Sequence, residues 1–162
     1  MSPNQILQST LDMSLFVLNA YYADLTDAQL LERPGEGCNP LAWQLGHLIN
    51  SQNNLINDIR PGAGIELPAG FAEQHSKVTA ADPSAKYLSK QQYQDLFSQV
   101  NAAAAKVLAS LTPTELAGPG PERFRQMFPT LGEFAVLIAT HPMMHAGQFV
   151  PVRRKLGKPV VI

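Results

Sequence analysis

The stretch TLGEFAVLIATHPMMHAGQFVPVRRKLG, residues 130–157, decides the fold. Thr130 and Glu133 stand at capping-box spacing, and Gly157 marks the stop. Between them Phe134, Ile138, His141, His145, Gln148, Phe149, Val152 and Leu156 trace one face of a long helix. Two histidines therefore share a stripe that faces a core. Pro142, inside that helix, removes the amide that would bond to the carbonyl of Ile138, so a kink or a locally widened turn is expected there.

Working outward, three more long helices emerge. Ser2-Pro3 is a cap followed by proline, and Leu7, Leu11, Leu15, Leu18 and Tyr22 oppose Gln8, Asp12 and Asn19. Thr26 and Gln29 cap a short turn that Arg33-Pro34-Gly35 breaks. Asn39-Pro40 repeats the cap-plus-proline start, Leu41, Leu45, Leu48, Leu55 and Ile59 form a second stripe, and Pro61-Gly62 ends it. Residues 61–88, with His75 among them, show no period and are expected to form a long irregular crossover. Ser89 and Gln92 cap a third helix with Tyr93, Leu96, Phe97, Val100, Ala104, Val107, Leu108 and Leu111 on its apolar face. Its Ala102–Ala105 run leaves room for the close approach of another backbone. Thr112-Pro113-Thr114-Glu115 caps a short turn, and residues 118–121 form a Gly-Pro loop. Nothing alternates with period two. The chain is expected to be all-α: a four-helix bundle with a long crossover between helices 2 and 3, forming one domain over residues 1–162.

Composition sets the outer bounds. At 162 residues with 45% apolar and 15% charged side chains, the chain can bury one continuous core. A net charge of −1 gives no reason to expect nucleic-acid binding. The first ten residues lack a basic n-region, and no apolar run approaches the ~18 residues that span a bilayer. A single cysteine, Cys38, excludes an intramolecular disulfide and fits a reducing cytoplasm.

The histidines carry the chemistry. Side chains at i and i+4 stand one turn apart on a helix face, so His141 and His145 can grip one ion from one side. His47 lies at the border of the second helix's stripe, beside Gln44 and Ser51, and can close in from a facing rod. Buried imidazoles need partners, and a shared ion satisfies several at once. Three imidazole nitrogens plus water is a familiar catalytic zinc arrangement, and imidazole also suits nickel, copper and ferrous iron. Core histidines bonded to neighbours are the alternative.

The run Leu41-Ala42-Trp43-Gln44-Leu45-Gly46-His47-Leu48 resembles the "W-x-L-G-H" segment of the DinB/YfiT-like family of metalloenzymes. His141-Pro142-Met143-Met144-His145-Ala146-Gly147-Gln148 resembles that family's second histidine segment, and the helix pattern agrees along nearly the whole chain. The resemblance implies a four-helix bundle of unusual connectivity, a homodimer, and a divalent transition metal, zinc or nickel foremost, held by His47, His141 and His145. It also implies a low-molecular-weight thiol as a possible cofactor, since the family includes thiol-dependent transferases and isomerases. Two positions depart from the pattern. Met144 stands where many relatives have a second consecutive histidine, and Ala146 where many have arginine.

Other residues have weaker claims. Gln148, one turn past His145, is a candidate to orient it or a bound water, and Trp43 reads as core or cleft wall. His75 reads as an exposed loop histidine, with a lid residue as the functional alternative. Glu36 and Glu73 could supply a general base if their loops fold over the site. Cys38 is a small residue in a turn. Arg153, Arg154, Lys155 and Lys158 suit the negative end of the last helix, with an anion site as the alternative. The functional expectation is a metal-dependent enzyme acting on a small molecule, by thiol transfer or by hydrolysis. The other reading is a stress-related bundle that binds metal or a small molecule without turnover.

Overall fold

Five reciprocal caps start helices among the described residues. In the computed structural model, which describes residues 1–82 and 85–162, Ser2 and Gln5 begin α1 (Pro3–Tyr22), and Thr26 and Gln29 begin α2 (Asp27–Leu30). Ser89 and Gln92 begin α5 (Lys90–Ser110), Thr112 and Glu115 begin α6 (Pro113–Ala117), and Thr130 and Glu133 begin α7 (Leu131–Lys155). Each cap satisfies amide donors that the first turn leaves open. Gly157, at φ +67, supplies the left-handed residue just past the end of α7.

The second long helix, α3 (Leu41–Ile59), starts differently from the expected cap-plus-proline pattern. Pro40 itself occupies the cap position and no side chain bonds to the first turn. The residue before a proline is pushed out of helical geometry, so Asn39 lies one step outside. Its carbonyl instead accepts the side-chain amide of Gln44.

The long helices α1, α3, α5 and α7 form the four-helix bundle. α1 packs along α7 and α5, and α3 packs along the same two. Each long helix thus has two neighbours, with α1 diagonal to α3 and α5 diagonal to α7. Leu11, Leu18, Leu45, Ile49, Ile56, Val100, Phe134, Ile138 and Phe149 fill the centre. Among the described residues there is no strand, only an isolated bridge between Pro119 and Thr130. No helix among them is long and apolar enough to cross a membrane.

The crossover between α3 and α5 is less irregular than its sequence suggests. It contains α4 (Phe71–Gln74) and a 3₁₀ turn (Thr79–Ala81), while residues 83 and 84 of it lie outside the described ones. Asn53 and Asn57 fasten its start, exchanging side-chain bonds with the backbone of Gly62, Gly64 and Ile65.

Candidate metal centre

α3 and α7 lie side by side, and each directs histidines into the contact. His141 and His145 stand one turn apart on α7, their ring centroids separated by 5.0 Å. The His47 ring comes from α3 to 5.5 Å from the first and 5.3 Å from the second. One nitrogen from each of the three rings lies within 4.8 Å of the others. Tetrahedral zinc with bonds of about 2.1 Å needs nitrogens about 3.4 Å apart, a separation inside that limit. Among the described residues no carboxylate or thiol joins this group.

Burial sets the protonation state. His141 and His145 are only 8% and 9% exposed, and His47 is half-buried. Loss of water disfavours the charged ring, which pulls His141 down to about 4 and His145 to about 3. His47 is lowered too, by burial first and the Lys77 ammonium second. At neutral pH all three rings are therefore uncharged, the form that ligates metal.

Two hydrogen-bonding facts make the group suitable for an ion. His145 Nδ1 faces Gln44 Oε1 at 3.2 Å, and the Gln44 amide donates to the Asn39 carbonyl. An amide oxygen only accepts, so Nδ1 carries the proton and Nε2 keeps its lone pair free. His141 Nδ1 is buried with no hydrogen-bond partner among the described residues. An orphan of that kind costs about 1–3 kcal/mol unless an ion or water meets it.

The bend-prone stretch of α7 is supported from the side. Pro142 and Pro151 both sit inside the helix, which runs unbroken through them. The Ile138 carbonyl, deprived of its amide partner by Pro142, has the Gln52 side-chain amide at 3.4 Å. Gln52 also donates to Asn101, whose own amide donates to the Phe97 carbonyl. This buried chain ties α7 to α3 and α5 close to the histidines.

The three histidines picked from the sequence are thus brought together, and Trp43 is a wall of the same site, stacked on His47. Several other expectations are corrected. Gln148 is exposed, and Gln44 holds the place beside His145 that Gln148 was expected to fill. His75 is neither an exposed loop residue nor a lid: it is 2% exposed, bonded to the Phe71 carbonyl and the Tyr93 hydroxyl. Glu36 and Glu73 are exposed and lie outside the histidine group. Arg153 is not a surface charge but is 1% exposed, bonded to Asp24 and to the carbonyls of Tyr21 and Pro159. Lys158 joins Asp24 and Lys155 pairs with Glu32, which accounts for these cations without an anion site. Cys38 is half-buried in the turn where its amide donates to the Gly35 carbonyl.

A helical bundle whose adjacent rods converge three neutral imidazoles defines a class: an all-α protein with a candidate metal centre. The chain belongs to the DinB superfamily, which it matches over residues 11–149. It is also similar in fold to the crystal structure of a conserved protein from Enterococcus faecalis, with a TM-score of 0.75 at 18% identity. That likeness covers 98% of this chain and 99% of the other. No curated protein matches the chain.

Proposed function

We propose that the protein binds one divalent transition metal ion, zinc or nickel foremost, through His47, His141 and His145, and uses it on a small-molecule substrate. The observation that carries this reading is the convergence of three neutral imidazoles around a shared point, with a buried His141 nitrogen that no group among the described residues satisfies. Three protein ligands leave a coordination position open. A bound ion would supply an activated water or thiol there at neutral pH. His145 is held in the ligating tautomer by Gln44, and burial keeps all three rings unprotonated.

Thiol-dependent transfer to a small electrophile, with a low-molecular-weight thiol as cofactor, is the most concrete form of the chemistry, and it draws on the family. Hydrolysis is the variant that the residues support equally. The reading also includes a homodimer, as the family suggests, and a cytoplasmic setting, as a lone cysteine suits. One observation favours a second reading, a bundle that binds metal or a small molecule without turnover. Among the described residues no carboxylate joins the histidines to serve as a general base.

The test is elemental analysis of protein prepared without a histidine tag, beside His145→Ala. The parent is expected to carry about one transition-metal equivalent per chain and the variant to lose most of it. Equal metal content in the two would overturn ligation by His145. Thiol consumption in the presence of small electrophiles then separates turnover from binding alone.

A further inference from the structure

We propose that Trp43 is a positioning residue for His47, held by a latch that the crossover closes on α3. The inference rests on the metal reading above and concerns residues outside the ligand set. His47 has weaker polar support than His145. Its Nε2 stands 3.5 Å from Ser51 Oγ, at the outer limit of a hydrogen bond, whereas His145 has Gln44. What confines the His47 ring is the Trp43 indole, one turn earlier on the same helix. The two planes lie 4.9 Å apart between centroids and within 5° of parallel. An imidazole stacked in this way cannot swing about its χ2 axis without striking the indole.

The indole is itself fixed. Trp43 is 4% exposed, and its Nε1 donates to the Ser76 carbonyl at 3.0 Å. Ser76 follows His75, a buried residue of the crossover bonded through both ring nitrogens. The His75 Nδ1 donates to the Phe71 carbonyl at 2.8 Å, which leaves Nε2 to accept from the Tyr93 hydroxyl at 2.7 Å. The His75 ring also rests on the bare backbone of Gly46. A Cβ at position 46 would stand 2.0 Å from its Cδ2, so any larger residue there expels the ring. Gly46 immediately precedes His47 in the chain.

One anchored imidazole thus fixes two things at once: the carbonyl that holds Trp43, and the packing against the backbone that carries the ligand. The contacts run from Tyr93 on α5 through His75 and Ser76 to Trp43, and from Trp43 to His47. The latch lies outside the ligand shell and governs the aim of one ligand.

Cobalt(II) serves as the probe ion. The parent, Trp43→Leu, Trp43→Phe and Tyr93→Phe are titrated, reading the dissociation constant and the visible ligand-field spectrum, with thermal melts of the metal-free proteins alongside. Trp43→Leu is expected to weaken binding about 10–100-fold and to alter the spectrum, as loss of an orienting partner does. Trp43→Phe keeps a stacking face and falls between it and the parent. Tyr93→Phe, which removes only the hydroxyl that holds His75, weakens binding several-fold in the same direction. Should Trp43→Leu fail to fold, the two conservative variants decide the matter alone. Variants that melt lower yet bind cobalt with the parent's affinity and spectrum overturn the positioning role and leave the metal site standing. A parent that takes up no cobalt overturns the three-histidine reading, and this inference with it.

Discussion

Four histidines divide this molecule into two regions that burial alone does not distinguish. His75, beneath the crossover, has both ring nitrogens bonded to protein partners. His141, between α3 and α7, is buried too, yet its Nδ1 meets no partner among the described residues. Desolvation lowers the pKa of both rings, so neither titration nor exposure separates them. The separation comes from counting partners and from convergence. A satisfied imidazole is masonry, and three converging ones with a spare nitrogen could hold an ion.

Removing one histidine from each region is expected to give the largest effects. His141→Ala should weaken metal binding by more than the ~10–100-fold typical of outer partners, because it deletes a ligand outright. Isothermal titration with zinc checks it, and retained affinity would dissolve the distinction. The second effect concerns stability without metal. His75→Ala opens a cavity and leaves the Tyr93 hydroxyl proton without an acceptor, with only the Leu88 amide still bonded to its oxygen, and should cost about 2–4 kcal/mol in urea unfolding. His141→Ala should cost clearly less, since it also removes an unsatisfied atom. A reversed ranking would mean that the orphan nitrogen is well served in solution.

Acid gives a smaller and more gradual effect. The folded pKa values of His141 and His145 lie below the unfolded value, so the metal-free fold holds its full stability above about pH 6.5. Below that the unfolded chain takes up protons that the folded rings refuse. Stability then falls by up to about 1.4 kcal/mol per pH unit for each such ring, levelling near pH 4 for His141 and near pH 3 for His145. Urea midpoints of chelator-treated protein at pH 7 and pH 5 measure this slope, and His141→Ala should reduce it. The smallest effect is expected at Gln148→Ala. Its side chain is exposed, so stability should stay within about 0.5 kcal/mol and zinc affinity should not change.

What the sequence disclosed follows from range. Helix starts were legible because Thr26, Ser89, Thr112 and Thr130 each find their partner three residues on and Ser2 stands directly before a proline, its own partner Gln5 appearing only in the fold. The placing of His141 and His145 on one face was legible for the same reason, since four residues make about one helical turn. His47 needed the motif around it, because its half-buried place on α3 is ambiguous by spacing. His75 was misjudged because its partners are Tyr93, eighteen positions on, and the bare face of Gly46, which belongs to another element. Gln44 and Gln148 are both polar residues near a stripe, and only the packing of α3 on α7 decides which one meets His145. Arg153 resembles any cation at a helix end until the residues after α7 fold back and bury it against Asp24. Asn39 missed its capping role because the proline beside it took the position.

Gln44 and His145 touch although 101 positions separate them along the chain. An ion seated beside them would join two distant parts of the polypeptide, as a reversible cross-link does. Its release would then be coupled to unfolding of the entire bundle, with free ion at a hundred times Kd adding about 2.7 kcal/mol of stability. A chelator should therefore lower the melting temperature of every helix together, making global heat resistance a gauge of metal supply.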